Sequence, residues 1–239
     1  KKLSKRDGAM DVMDYKNEGY LPEALLNFLV RLGWSNGDQE IFSMEDMLEL
    51  FDPSNINKSA SAYNAEKLLW LNSEYIKAVS NDRLIEELKF FDMDLSHHAK
   101  RTELLDLSKQ RAQTIVELKA SVNSILEVPI TYEESGVKKF VKDDTKDFLE
   151  KYLRLLEKNK DNLYDVSKVE EITKPFITEN GLKFPQLFQP IRIALTGGTQ
   201  APSVYDIIAI LGFTEVSARL ENALKRNFQN TWLFKNNQA

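Results

Sequence analysis

Apolar residues recur at the spacing of α-helices through most of the chain, and this periodicity limits the fold more than any other feature. Pro22 opens one such run, in which Ala24, Leu25 and Phe28 share a helical face before Gly33 ends it. No two segments show the alternation that paired strands require. We therefore predict an all-α fold, built as a string of helical bundles.

The same spacing predicts the remaining helices and their ends. Ser43 begins a capping box, and Gly212 separates the last two helices. The segment 137–141 contains valines but is too short and charged to form a strand. The predicted helices are 44–51, 62–79, 84–91, a single long helix 104–126, then 145–158, 167–179, 184–195, 203–211 and 214–228.

Two polar stretches are the candidate domain boundaries. Ser80, Asn81 and Asp82 are all of types that favour the N-cap position of a helix, and a new amphipathic run follows them. The second stretch is the polar segment 159–162.

A turn is also predicted after residue 195. We expect Ser203, with Asp206, to cap the helix that follows this turn.

Composition excludes several classes of chemistry. The chain has no cysteine and only two histidines, His97 and His98, which are adjacent and cannot both face one ion from a helix. We predict no metal site. The net charge of −5 argues against a protein that coats nucleic acid indiscriminately, although a local basic groove remains compatible with it. The absence of a secretory signal or a membrane-length apolar segment favours a cytoplasmic location.

The first residues form a dense cationic motif. Lys2, Ser4, Lys5 and Arg6 place three cations and a hydroxyl within five residues, a combination that suits a nucleotide triphosphate. Taken by itself, a basic pentapeptide is more often a solvated or nucleic-acid-attracting terminus. The chain begins without methionine directly in this motif, so we expect it to be part of a longer protein.

Long stretches of the chain resemble bacterial glutamyl-tRNA synthetases, which are class I aminoacyl-tRNA synthetases. The segment 2–51 begins with KLSKR and is similar to the part of that family that starts at its KMSKS-type loop. The likeness continues through 56–76, which includes KLLWLNSEYI, and returns at 189–212 with QPIRIALTGGTQAPSVYDIIAILG. It is weaker between about 92 and 173.

The resemblance implies ATP-dependent attachment of glutamate to tRNA through a glutamyl adenylate. Lys2 and Lys5 would hold the triphosphate with help from Ser4 and Arg6, with ATP as a substrate accompanied by magnesium and no tightly bound cofactor. The family's His-x-Gly-His motif and its glutamate pocket are missing from this sequence, so the catalytic set is incomplete. We expect the chain alone to bind tRNA as a monomer without aminoacylating it.

The resemblance also implies an order of domains. Residues 1–20 would be the KLSKR loop and the end of the catalytic core, and 21–80 a helical domain that contacts the tRNA stem. Two anticodon-binding helical bundles would follow, at 81–162 and 163–239.

Family positions that contact tRNA map onto both halves of the chain. In the first half, Lys67, Trp70 and Asn72 fall near the stem-contact surface, and Arg111 matches an arginine of the first anticodon bundle. We predict that Trp70 is a core residue because leucines surround it. Trp34 could equally be a core residue or a stacking platform.

In the second half, the implied anticodon contacts converge on one turn. Lys174 and Arg192 match basic positions of the family, although Lys174 cannot make the bidentate contact of an arginine. The other matched positions, Ala201, Pro202 and Val204, form a proline-centred turn. Here alanine and valine replace the commoner threonine and leucine, which weakens a hydroxyl contact but keeps an apolar one.

Two other interpretations stay open. The chain could come from a paralogue that charges glutamate onto glutamine tRNA, because the anticodon positions do not separate the two. It could also be a non-catalytic helical adaptor derived from a synthetase. The intact KLSKR motif argues against the adaptor, which would not need phosphate-binding lysines.

Overall fold

The computed structural model describes residues 11–57 and 63–230, and this part of the chain is all-helical, as predicted. Twelve α-helices are connected by turns and two single 3-10 turns, with no strand among the described residues. The helices are α1 Val12–Asn17, α2 Pro22–Gly33, α3 Met44–Leu50, α4 Ala65–Ala78, α5 Asn81–Phe90, α6 Arg101–Ser108, α7 Ile115–Leu126, α8 Glu134–Phe140, α9 Thr145–Lys158, α10 Val166–Glu179, α11 Phe184–Thr196 and α12 Val204–Lys225.

Contacts divide the chain into two compact units, Lys1–Ala120 and Ser121–Ala239. Within the first, α2 packs on α4 and α5 on α6. Within the second, α11 is central because it packs on α8, α9 and α12, while α10 packs on α12. The four domains inferred from sequence stay a prediction.

Several helix ends confirm the capping chemistry expected from sequence. Ser43 and Asp46 form the reciprocal capping box of α3, and Ser80 caps α5 through the amide of Arg83. Gly212 adopts a φ of 72° and divides α12 into two helical segments at the predicted position. The valine-containing segment 137–141 belongs mostly to α8, not to a strand.

The single long helix predicted over 104–126 is wrong. Helix α6 ends at Ser108 and α7 begins at Ile115, so the chain turns between them. Distant groups hold this turn: the amide of Ile115 donates to the carbonyl of Gly19 at 2.9 Å, and the side-chain amide of Asn72 donates to the carbonyl of Gln113 at 2.7 Å. Apolar periodicity does not register such contacts, because they depend on residues far away in sequence.

Candidate nucleic-acid interface

The turn between α11 and α12 is clamped at its first residue. Gly197 ends α11 with a φ of 83°, and its carbonyl accepts a hydrogen bond from the amide of Glu133 at 2.7 Å. A side chain here would be strained by this φ, and its Cβ would lie 2.9 Å from the carbonyl oxygen of Thr131. Glycine is therefore required at this position, and the turn is seated on the segment that leads into α8.

The carboxylate of Glu133 fixes the middle of the same turn. One oxygen accepts from both the amide and the hydroxyl of Thr199, at 2.8 and 2.7 Å, and the other accepts from the hydroxyl of Ser135 at 2.7 Å. The hydroxyls of Thr199 and Ser135, together with the Thr199 amide, hold the pKa of Glu133 below its ordinary value of 4.5.

This pKa shift makes the turn sensitive to acid. Because the folded-state pKa is lowered, the carboxylate's contribution is present above the ordinary pKa and is lost as pH falls through the lowered value. We expect the amide resonance of Thr199 in an NMR titration to shift in acid with a midpoint below 4.5. In Glu133→Gln this titration should disappear. A midpoint at or above the ordinary value would contradict the clamp.

Arg192 brings a guanidinium group to the turn. It lies half-buried in α11, and its Nη2 donates to the carbonyl of Pro202 at 3.4 Å. The side chains of Ala201 and Val204 are buried, with 5% and 2% exposure, and Pro202 is buried as well. Ala201, Pro202 and Val204 therefore form the packed inside of the turn, and little of these residues reaches solvent.

The first turn of α12 lacks the side-chain cap expected from sequence. Ser203 is the N-cap residue but makes no side-chain hydrogen bond to the helix, so the predicted capping by Ser203 with Asp206 is wrong. The φ of −57° and ψ of 130° at Ser203 place it outside the helix. Amides at such a helix start are donors suited to phosphate or base oxygens.

Lys174 and Arg111 are exposed cations of different units. Lys174 lies on α10, where its Nζ is 2.6 Å from a carboxylate oxygen of Glu170, and its side chain is 67% exposed. Arg111 lies in the turn between α6 and α7, where its amide donates to the carbonyl of Ser108 at 3.4 Å. Both side chains remain accessible to a polyanion.

Lys67 lies in the first turn of α4 and forms an ion pair. Its Nζ is 2.7 Å from one carboxylate oxygen of Glu40, whose other oxygen pairs with Arg31 at 3.2 Å. Hydrogen bonding from Lys67, reinforced by the charges of Lys67 and Arg31, lowers the pKa of Glu40. Lys67 is therefore partly neutralised in the free chain, although 38% of its side chain is exposed.

The structure corrects two further expectations about α4. Trp70 is 40% exposed, so its predicted place in the core is wrong: the buried face of α4 carries Leu68, Leu71 and Tyr75 instead. Asn72, expected near a tRNA-facing surface, is fully buried. Its side-chain oxygen accepts from the amide of Leu21 at 2.8 Å, so Asn72 joins distant segments.

The other tryptophan with an open assignment, Trp34, is a core residue. It is 5% exposed and packs in a cluster with Phe42 and Met47. The residues of the KLSKR motif, Lys2, Ser4, Lys5 and Arg6, lie outside the described residues.

Sequence reasoning missed Arg219, which is buried with only 2% exposure. Its guanidinium donates to the carbonyls of Ile125, Leu126 and Leu195 at 2.9, 2.9 and 2.7 Å, and it pairs with Glu215 at 2.7 Å. Arg219 thus ties the end of α7 to the last turn of α11, two residues before Gly197 begins the candidate turn. The local sequence carries only the i, i+4 spacing to Glu215, which is also typical of an exposed pair.

In the described part of the chain, no helix combines the length and apolarity needed to cross a membrane. No cluster of three or more histidine, cysteine, aspartate or glutamate side chains suited to a metal ion occurs there either.

Two protein families match the chain. The family described as an anticodon binding domain matches residues 60–224, and that described as the catalytic domain of class I tRNA synthetases (E and Q) matches residues 1–70. Among curated relatives, "Glutamate--tRNA ligase 1" of Aliarcobacter butzleri is 79% identical over 97% of this chain and 49% of the relative. The protein of the same name from Campylobacter hominis is 48% identical over 94% of this chain and 48% of its own.

The chain is also similar to solved structures of proteins with the same name. The crystal structure of a glutamate tRNA ligase from Elizabethkingia meningosepticum in complex with its amino acid has a TM-score of 0.82 and 26% identity, over 94% of this chain and 48% of that one. The chain thus spans about half the length of the relatives it matches. Since the anticodon-binding family covers most of the chain and the catalytic family its first part, the chain belongs to the glutamate–tRNA ligase family of class I aminoacyl-tRNA synthetases.

Proposed function

We propose that this chain is the tRNA-recognition region of a glutamate–tRNA ligase and that the turn between α11 and α12 contacts anticodon bases. The observation that carries the proposal is the rigid turn itself. Glu133 and Gly197 clamp it, Arg192 lies against its Pro202, and an α12 start without a side-chain cap follows.

This geometry matches what an RNA loop requires. Unstacked bases are recognised by planar cations, backbone amides and stacking surfaces. Arg192 can turn its guanidinium toward a base edge, and the α12 amides can donate to base or phosphate oxygens. Ala201, Pro202 and Val204 are buried, so they would contribute by holding the shape of the turn that presents Arg192 and the α12 amides. When tRNA binds, Lys174 would leave its ion pair with Glu170 and pair with a phosphate.

The first unit would contribute further tRNA contacts. We assign Lys67 to the stem-contact domain at 21–80 and Arg111 to the first anticodon bundle at 81–162, with the second bundle at 163–239. Both side chains reach solvent, which supports these roles. Each cation would add a sequence-independent phosphate contact.

The whole protein would attach glutamate to tRNA with ATP as the second substrate and magnesium bound with it. Lys2, Ser4, Lys5 and Arg6 would surround the triphosphate, where cations and hydroxyl donors stabilise the developing negative charge. We propose a cytoplasmic monomer. Because the sequence holds no His-x-Gly-His motif, this chain alone would bind tRNA without charging it.

A second candidate is the paralogue that charges glutamate onto glutamine tRNA. Relatives named "Glutamate--tRNA ligase 1" and relatives named "Glutamate--tRNA ligase 2" both match this chain, so similarity alone does not select one of them. The anticodon contacts proposed above would serve either enzyme.

The test is a salt-dependent binding titration of the chain against glutamate tRNA, glutamine tRNA and an unrelated tRNA. Arg192→Ala should weaken binding to the preferred tRNA roughly tenfold to a hundredfold, as expected for the loss of one good base contact. Arg154→Ala, which removes an exposed arginine from α9, is the matched control and should change affinity little.

The tRNA preference then separates the candidates. Preference for glutamate tRNA supports the ordinary enzyme, and preference for glutamine tRNA supports the paralogue. Equal, weak binding to all three tRNAs, unchanged by Arg192→Ala, would overturn the anticodon assignment and favour a synthetase-derived adaptor.

A further inference from the structure

Helix α11 begins with a pair of stacked aromatic rings. The rings of Phe184 and Phe188 lie one helical turn apart, with centroids separated by 4.0 Å and planes inclined by 21°. Phe188 is 2% exposed, whereas Phe184 is 52% exposed. The inner ring therefore belongs to the core, and the outer ring lies over it with much of its surface facing solvent.

Tyr205, in the first turn of α12, supports both rings. Its ring meets Phe188 edge-on at 4.9 Å and Phe184 at 6.3 Å, with interplanar angles of 78° and 73°. Edge-to-face and offset-stacked contacts are the favoured arrangements of aromatic pairs. The position of Phe184 is thus set by two helices, and an incoming group would meet a surface that is already ordered.

The segment that leads into α12 connects the aromatic rings to the proposed anticodon site. Arg192 contacts the carbonyl of Pro202, three residues before Tyr205. Phe184, Phe188 and Arg192 recur every four residues, so they occupy one side of α11. The aromatic pair and the guanidinium therefore follow one another along one side of α11.

A carboxylate of α10 lies near Tyr205. Burial, followed by the negative charge of Glu170, raises the pKa of the Tyr205 hydroxyl, which places Glu170 near this ring. Glu170 pairs with Lys174 at 2.6 Å. The carboxylate near Tyr205 thus carries a cation with it, and Arg192 lies on the same side of α11 as the aromatic pair.

We propose that the outer face of Phe184 is a stacking surface for an unpaired RNA base next to the bases held at Arg192. This inference rests on the proposed function and adds a contact to it. A base fits because it has a flat π-face to extend the ring stack and carries a phosphate that Lys174 can meet. One exposed ring is too small an anchor for a protein partner, whose interface buries far more surface.

Stacking accepts any base, so Phe184 contributes affinity and not discrimination between anticodons. It also contributes no charge. Removal of the ring should therefore lower affinity at every salt concentration by the same factor and leave the slope of log K against log salt unchanged.

The experiment uses the whole chain and an RNA hairpin with the anticodon-arm sequence of glutamate tRNA, carrying 2-aminopurine at each unpaired loop position in turn. We expect one position to be quenched on binding and this quenching to be lost in Phe184→Leu, with affinity reduced roughly tenfold to a hundredfold. Phe184→Trp should retain both. Phe90→Leu is the matched control, because Phe90 is a similarly exposed phenylalanine of the first unit, and it should leave affinity unchanged.

Each other outcome has a defined meaning. Phe184→Leu with unchanged affinity and quenching, or Phe184→Trp as weak as the leucine variant while its thermal unfolding midpoint is unchanged, would overturn the stacking surface. If Arg192→Ala still weakens binding, the proposed function survives that failure. Failure of the wild-type chain to prefer either this hairpin or the matching glutamine tRNA hairpin over one of unrelated sequence would overturn the proposed function itself.

Discussion

Replacement of Arg219 by leucine is expected to lower the free energy of unfolding of the second unit by about 3–5 kcal/mol. The guanidinium is buried and donates to the carbonyls of Ile125, Leu126 and Leu195. Leucine fills part of the space but donates no hydrogen bond, and each buried carbonyl left without a donor costs about 1–3 kcal/mol. Glu215 adds little to the loss, because it is 40% exposed and can be solvated.

Urea-induced unfolding, followed by circular dichroism, measures this effect. Arg219→Lys should be intermediate, since an ammonium group keeps the charge but cannot reach all three carbonyls in the geometry of the guanidinium fork. Arg154→Leu, at an exposed position of α9, is the control and should change the free energy of unfolding by no more than about 0.5 kcal/mol. A loss below about 1 kcal/mol in Arg219→Leu would mean that the three carbonyls find other partners.

Local rules were sufficient for most of the fold. Pro22, Ser43 and Gly212 each act through their own backbone or through residues within one helical turn, so their helix ends were predictable without knowledge of the fold. The all-α class followed from the same periodicity. Each of these features depends on short-range chemistry that a single sequence displays in full.

Features that depend on distant residues were not predictable. The break between Ser108 and Ile115 forms because Gly19 and Asn72 supply hydrogen bonds to that turn. The exposure of Trp70 depends on which side of α4 meets α2, and leucines on both sides of Trp70 in sequence conceal that choice. Arg219 looks like a solvated residue until the helix ends around it are known.

The candidate site likewise has features that the sequence predicted and features that it did not. The resemblance placed Arg192 and Pro202 in one short segment, and they are in contact. The resemblance did not indicate that Glu133, 66 positions away from Thr199, holds the turn. Nor did it indicate that the side chains of Ala201 and Val204 are buried, because burial depends on the packing of α11 against α12.

Asn72→Leu is expected to lower the free energy of unfolding of the first unit by about 2–4 kcal/mol. Asn72 is fully buried, accepts from the amide of Leu21, and donates to the carbonyls of Gly19 and Gln113 at 3.2 and 2.7 Å. Leucine has nearly the same shape but leaves the Leu21 amide and the Gln113 carbonyl without this partner. The carbonyl of Gly19 still accepts from the amide of Ile115, so losing its hydrogen bond from Asn72 costs less free energy.

Urea unfolding again measures the effect, with Asn36→Leu as the control, because Asn36 is exposed and its side chain bonds only weakly to Gln39, at 3.3 Å. The control should change the free energy of unfolding by no more than about 0.5 kcal/mol. A tRNA titration well below the unfolding midpoint completes the test. Because Asn72 is enclosed by protein, the folded variant should bind tRNA as the wild type does. Normal stability combined with weakened tRNA binding would instead mean that Asn72 acts on the RNA, which its burial contradicts.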